Sequence, residues 1–261
     1  MTTSDGSVIG SRAWAANRRG ALTVREQLEL ARQMMLAQIA GLPSQARAWL
    51  GRGGGGRGAL AIRREPPDSR LCRAALEFAT DASPSALLGH CLRCWLWADL
   101  FAQRDSVGHD PELLYVACLL HDVGLTDTYH PDPVDGPSCF AVHGGETAYT
   151  LVLAHGAADA FAEQVADAIA LHMNVRVPRR LGGEAHLLHA AAHLDVAGTR
   201  AGALPAQARW TVVTAHPRDG FSGLFAQLMQ REARERPRSR AALMWRLGMA
   251  VPLRHNPLDR T

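Results

Sequence analysis

The chain has 261 residues, enough to bury a sizeable core, and its 47% hydrophobic and 20% charged residues exclude wholesale disorder. Lys+Arg 28 against Asp+Glu 25 leave a net charge of +3, too little for a nucleic-acid footprint. No lysine occurs, so every one of those cations is arginine, which excludes Schiff-base chemistry and any phosphate loop that needs its Lys. The arginine bias, with abundant Ala and Gly, reads as a GC-rich bacterial genome rather than as function.

In chain order, residues 1–22 show little periodicity and read as a loose, dispensable arm. Thr23 and Glu26 have the spacing of a capping box. Leu28, Met35, Leu36 and Ile39 then recur at helical spacing until Gly41-Leu42-Pro43, which reads as a stop. GRGGGGRG at 51–58 reads as a flexible linker, because no strand pattern precedes it and no GK[ST] follows. Pro66-Pro67-Asp68 opens the main body. There the pattern predicts helices over 69–80, 84–104, 110–121, 143–155, 158–173, 184–197, 205–214, 222–235 and 238–248, with no convincing strand. The expected architecture is all-α: a helical globule over 69–250, an N-terminal extension over 1–68 with one helix and the Gly-rich linker, and a tail over 251–261. No signal peptide and no apolar run of ~18 residues is present. Five cysteines, an odd number set in apolar stretches, are expected as reduced thiols. These features predict a cytoplasmic protein with no membrane or nucleic-acid partner. They leave its oligomeric state open.

Three places carry chemistry. His90 sits at the edge of the apolar face of LLGHCLRCWLWADLF, where a lone histidine is more often a hydrogen-bonded core residue. His121-Asp122 closes the apolar run LLYVACLL, where two polar groups are costly unless satisfied, and a divalent metal satisfies both. Adjacent helix residues diverge by about 100°, so both reach one ion only at the helix end. Gly124 permits the sharp exit. Asp195 lies on the apolar helix HLLHAAAHLDVAG and again asks for a partner.

The order H…HD…D of His90, His121-Asp122 and Asp195 resembles the HD-domain metal-dependent hydrolase superfamily. LLYVACLLHDVGLTDTY, the HCLR segment at His90, AIALHM with His172, and AHPRDGFSGLFAQLMQREARERP resemble its cyanamide-hydratase-like branch, over roughly residues 70–240. The resemblance implies one divalent ion, zinc first with iron or manganese as alternatives, on His90, His121, Asp122 and Asp195. It implies a small-molecule substrate and addition of metal-activated hydroxide to a C≡N compound such as cyanamide or a nitrile. Asp122 would orient the water, and His172 with Thr126 or Asp127 would move protons or position substrate. One departure stands out: Ala141 in Phe140-Ala141-Val142-His143-Gly144-Gly145 occupies the position where the branch carries an acid. His143 and His172 are therefore candidates for a second metal or for the substrate pocket. Alternatives are an HD phosphohydrolase, a dinuclear-iron oxygenase and a non-catalytic ligand-binding module. Against the first, Leu125 stands where such enzymes often carry Lys, and Arg93, Arg176 and Arg218 are scattered in sequence. Cys91 and Cys94 have CxxC spacing without a second pair, His186, His189 and His193 read mostly as packing, and REARERPRSR (231–240) reads as a solvated helix pair.

Overall fold

The most apolar stretch forms the centre. LLYVACLL lies in helix α5 (Pro111–Leu120), started by the Asp110 side chain accepting from the backbone N–H groups of Glu112 and Leu113, with Pro111 in the first turn. Every residue from Leu113 to Leu120 is buried, as expected for a helix that is apolar all round. Around it pack α3 (Arg70–Ala82), α4 (Ser85–Asp105), α7 (Asp159–Leu171) and α8 (Gly183–Ala197), while α6 (Phe140–Ala154) pairs with α7. The computed structural model describes residues 7–49, 60–63, 65–134 and 139–260. The expected linker at 51–58 lies outside them.

The fold is all-α, with no strand among the described residues. Each helix predicted for the body is present. Beyond these, α9 (Ala206–Ala215), α10 (Phe221–Glu235) and α11 (Arg240–Arg246) are followed by a short α12 (Ala250–Arg254) that the pattern did not reveal. A second apolar cluster joins Phe221, Phe225 and Met229 of α10 to Phe140, Met173 and Leu253. No helix among the described residues is long and apolar enough to cross a membrane. All five cysteines are buried and unpaired.

Four expectations need correction. Residues 7–22 are no loose arm: Ile9, Trp14 and Leu22 are buried in the second cluster, and α1 (Arg12–Arg18) makes two helices before residue 68, not one. The arm is polar in composition yet holds three well-spaced anchors, and a composition average hides them. The capping box forms as expected, with Glu26 accepting from the Thr23 N–H at 2.7 Å and Thr23 from that of Glu26 at 3.3 Å. However, α2 (Val24–Trp49) runs through Gly41-Leu42-Pro43, because good helix formers on both sides outweigh a local breaker. Leu28, Met35 and Leu36 face outward, and Leu30 is the buried one. The C-terminal residues also pack inward, with Leu253, Asn256 and Leu258 buried. Finally, REARERPRSR is not a solvated pair: Glu232, Arg236 and Arg240 are buried, where Glu232 pairs with Arg236 at 2.8 Å and accepts from the Phe140 N–H at the start of α6.

Candidate metal centre

Helix ends bring the polar groups together. His121 is the C-cap of α5, so its side chain leaves the helix axis, and Asp122 follows with φ −106° and ψ 9° before a single 3₁₀ turn over Val123–Leu125. Gly124 makes the turn fit: a Cβ there would lie 2.3 Å from the Phe140 carbonyl oxygen of α6. His172 occupies the matching place as C-cap of α7. His90 comes from the buried side of α4, and Asp195 from α8.

His90 Nε2 lies 3.1 Å from His121 Nε2, and each is 3.4 Å from Asp122 Oδ2. His172 Nε2 is 3.6 Å from the other oxygen, Asp122 Oδ1. All four side chains are buried. The Nδ1 of His121 lies 2.8 Å from the Cys118 carbonyl and that of His172 lies 2.6 Å from the Ile169 carbonyl. A carbonyl only accepts, so each Nδ1 carries the proton and each Nε2 presents a lone pair. Asp122 Oδ2 has no hydrogen-bond donor at all. Nitrogen and carboxylate lone pairs therefore converge at a buried site, an arrangement that a cation satisfies. Imidazole nitrogen with carboxylate oxygen is a fitting donor set for zinc or a first-row transition metal.

The electrostatics point the same way. Burial opposes charge on Asp122, but His121 and His90 hold its carboxyl well below the usual range. Burial likewise disfavours a charged His90, yet Asp122 and Asp195 outweigh it and raise its pKa. Burial lowers His121 and pushes His172 down to about 3, where neighbouring His121 adds to the shift. The pocket thus attracts positive charge near His90 and keeps the other two imidazoles neutral, the form that binds metal.

Asp195 meets the site at His90. Its Oδ2 lies 2.7 Å from His90 Nδ1, behind the ring rather than beside Nε2. Arg93 grips both its oxygens at 2.9 and 2.8 Å, Trp97 Nε1 donates to Oδ1 at 2.9 Å, and Arg218 approaches Oδ2 at 3.0 Å. Phe221 stacks on His90 with ring centroids 4.6 Å apart. Sequence reasoning missed Trp97 and Phe221. Trp97 had a signal, since it follows His90 by seven residues on one helical face.

Other candidates fall elsewhere. Thr126 is buried, and its hydroxyl donates to the Val123 carbonyl at 2.8 Å, closing the turn. Asp127 is exposed and paired with Arg231 at 2.5 Å. His143 lies among Arg236, His130 and Glu146 and joins no potential ligand group. His189 and His193 pack against each other, with His189 Nδ1 donating to the His172 carbonyl. Cys94 Sγ sits 3.7 Å from both ring nitrogens of His90, close enough to form a potential ligand group with His90 and His121. Cys91 is buried, with no pairing to Cys94.

Residues 87–198 match the family model described as HD domain, a span holding all five polar residues of this centre. The chain carries an HD domain. Two curated relatives from Saccharomyces cerevisiae, the cyanamide hydratases DDI2 and DDI3, are each 27% identical over 178 residues, which is 66% of this chain and 76% of theirs. Over about two thirds of its length the chain is thus similar to the cyanamide-hydratase-like branch of that superfamily.

Proposed function

We propose that this protein is a metal-dependent hydratase that adds water across the C≡N bond of a small, uncharged compound such as cyanamide or a simple nitrile. The observation that carries this reading is the state of the cations. Arg93 and Arg218, two guanidiniums beside the centre, are both turned onto Asp195. A phosphoester would need free cations. What flanks the imidazoles instead is aromatic: Phe221 stacks on His90, and Phe140 lies edge-on to His172 with ring centroids 5.8 Å apart. The likeness to the yeast cyanamide hydratases supports the same class.

A divalent ion held by His90, His121, Asp122 and Asp195 would supply Lewis acidity, lowering the pKa of water towards ~7 and polarising the nitrile. The protein's own groups manage the proton. His172 Nε2 is unprotonated, faces Asp122 and accepts the proton that water loses as oxygen bonds to the nitrile carbon. Asp122 Oδ1 steadies the transient imidazolium. His172 then returns the proton to nitrogen as one C–N π bond breaks. Nothing leaves, and the product is an amide, or urea from cyanamide. Thr126 keeps the turn after Asp122 closed.

The test is turnover by metal-loaded protein of cyanamide and simple nitriles against a nucleotide panel. Urea or amide formation without phosphate release is expected. Phosphate release from nucleotides with no amide or urea formed would overturn the assignment.

A further inference from the structure

Helix α8 turns Asp195 and its apolar residues inward, and its other side is made of one residue type. From Ala185 to Val196 every residue of α8 is buried except three, and all three are histidines: His186, His189 and His193. The spacing i, i+3, i+7 puts them within about 60° of one another around the helix. Asp195 lies about 180° around the axis from His186, so this stripe faces away from the His90–His121–Asp122 centre. The polar side of a helix ordinarily carries charged residues. Here it offers imidazole alone.

Two of the rings are set up alike. His186 Nδ1 donates to the Val177 carbonyl at 2.7 Å, and His189 Nδ1 donates to the His172 carbonyl at 3.1 Å. A carbonyl only accepts, so both protons sit on Nδ1 and both Nε2 atoms carry lone pairs. His193 makes no hydrogen bond among the described residues, and its ring centroid lies 4.1 Å from that of His189. Burial pushes His193 down to about 4, and burial with His193 alongside holds His189 well below the ordinary imidazole value. Both are therefore neutral at pH 7 and can take a metal without first losing a proton.

We propose that the outer face of α8 is a second metal site, in which His189 and His193 bind a zinc, nickel or copper(II) ion and water fills the remaining positions. Two histidines at i, i+4 on one helical face have the spacing that helical zinc motifs use, and imidazole suits all three ions. A ligating histidine characteristically donates its other ring N–H to a carbonyl, which orients the ring, and His189 already does so. Partial burial keeps the pair within reach of an ion from solvent. His186 stands one turn earlier on the same stripe. The site does no chemistry on substrate. It fixes the ring that holds the His172 carbonyl at the end of α7, and so braces α7 against α8.

Zinc uptake by the full chain, stripped by chelator, is to be measured by titration calorimetry for the wild type, His121→Ala, His189→Ala and His193→Gln. The wild type should take up two equivalents. His189→Ala and His193→Gln should each lose one and keep the other. His121→Ala should keep the equivalent that those two lose, and the double variant His121→Ala with His193→Gln should bind none. A single equivalent that survives both α8 substitutions and vanishes in His121→Ala would overturn the proposal and leave the other centre standing. A single equivalent with the opposite pattern supports the α8 site and counts against that centre instead. Should the α8 variants fail to fold, wild-type crystals soaked in zinc decide. An anomalous peak about 2.0–2.1 Å from His189 Nε2 and from a ring nitrogen of His193 is expected. No peak there while the His90–His121–Asp122 centre is occupied would refute the site.

Discussion

Replacing His121 or Asp122 by alanine removes one of the converging acceptors without touching the helices that carry them. Stoichiometric metal should be lost while the far-ultraviolet circular dichroism stays near wild type. A variant that retains full metal and full turnover would make these residues structural. A different histidine, His193, contributes to the acid sensitivity of the fold. Burial lowers the pKa of His193 to about 4, against 6.5 for a free imidazole. Between those values the unfolded chain binds a proton that the folded chain refuses, so stability falls as pH drops from 6.5 towards 4. The slope from this group is at most about 1.4 kcal/mol per pH unit. Urea titrations from pH 7 to pH 4.5 should give a shallower decline for His193→Gln. An identical pH dependence would remove His193 from the account.

At the scale of elements, the centre depends on how closely α6 approaches the turn after α5. Gly124→Ala would push a methyl against the Phe140 carbonyl, a rigid backbone atom, so the cost should match overpacking, about 1–3 kcal/mol. The urea midpoint should fall and metal affinity should fall with it, because the turn carries Asp122. A fully stable, metal-replete Gly124→Ala protein would mean that α6 yields freely. The body helices were legible because the 3.6-residue pattern is strong and caps such as Asp110 mark the boundaries. His90, His121 and Asp122 were legible for a related reason, as polar residues placed on apolar faces or at the end of an apolar run. The setting of Asp195 was not. Its partners, Arg93, Trp97 and Arg218, are far from it along the chain, and only packing reveals that they gather on it. The Gly-Pro stop in α2 misled for the opposite reason, a local signal overruled by its neighbours.

For the whole molecule, the N-terminal residues bear on stability through several independent ties. Ile9, Trp14 and Leu22 are buried in the second apolar cluster. Trp14 Nε1 donates to Glu26 at 3.1 Å, joining α1 to the cap of α2. Arg12 pairs with Glu146 of α6 at 2.8 Å, and its backbone N–H donates to Asp167 of α7 at 3.1 Å. The Ile9 carbonyl accepts from Asn174, which in turn accepts from buried Arg240 at 2.8 Å. Gly10, at φ +88°, passes so close to that guanidinium that a Cβ would lie 2.1 Å from Nη1. Deleting residues 1–22 would expose this apolar surface and leave Asn174 and Arg240 without their cover. Loss of a buried Trp side chain alone costs about 3–5 kcal/mol, so the truncated chain should unfold at a much lower urea concentration or fail to accumulate in soluble form. Trp14→Ala in the full chain gives the milder version, a fall in urea midpoint with the same slope. The metal should be affected less than stability, because His90, His121 and Asp122 come from α4 and the end of α5, which the N-terminal residues do not clamp. In the intact protein, limited proteolysis should therefore leave residues 7–22 uncut under conditions where the folded body survives. Rapid cleavage within that stretch, with no change in the unfolding midpoint of the remainder, would show that these residues are a passenger after all.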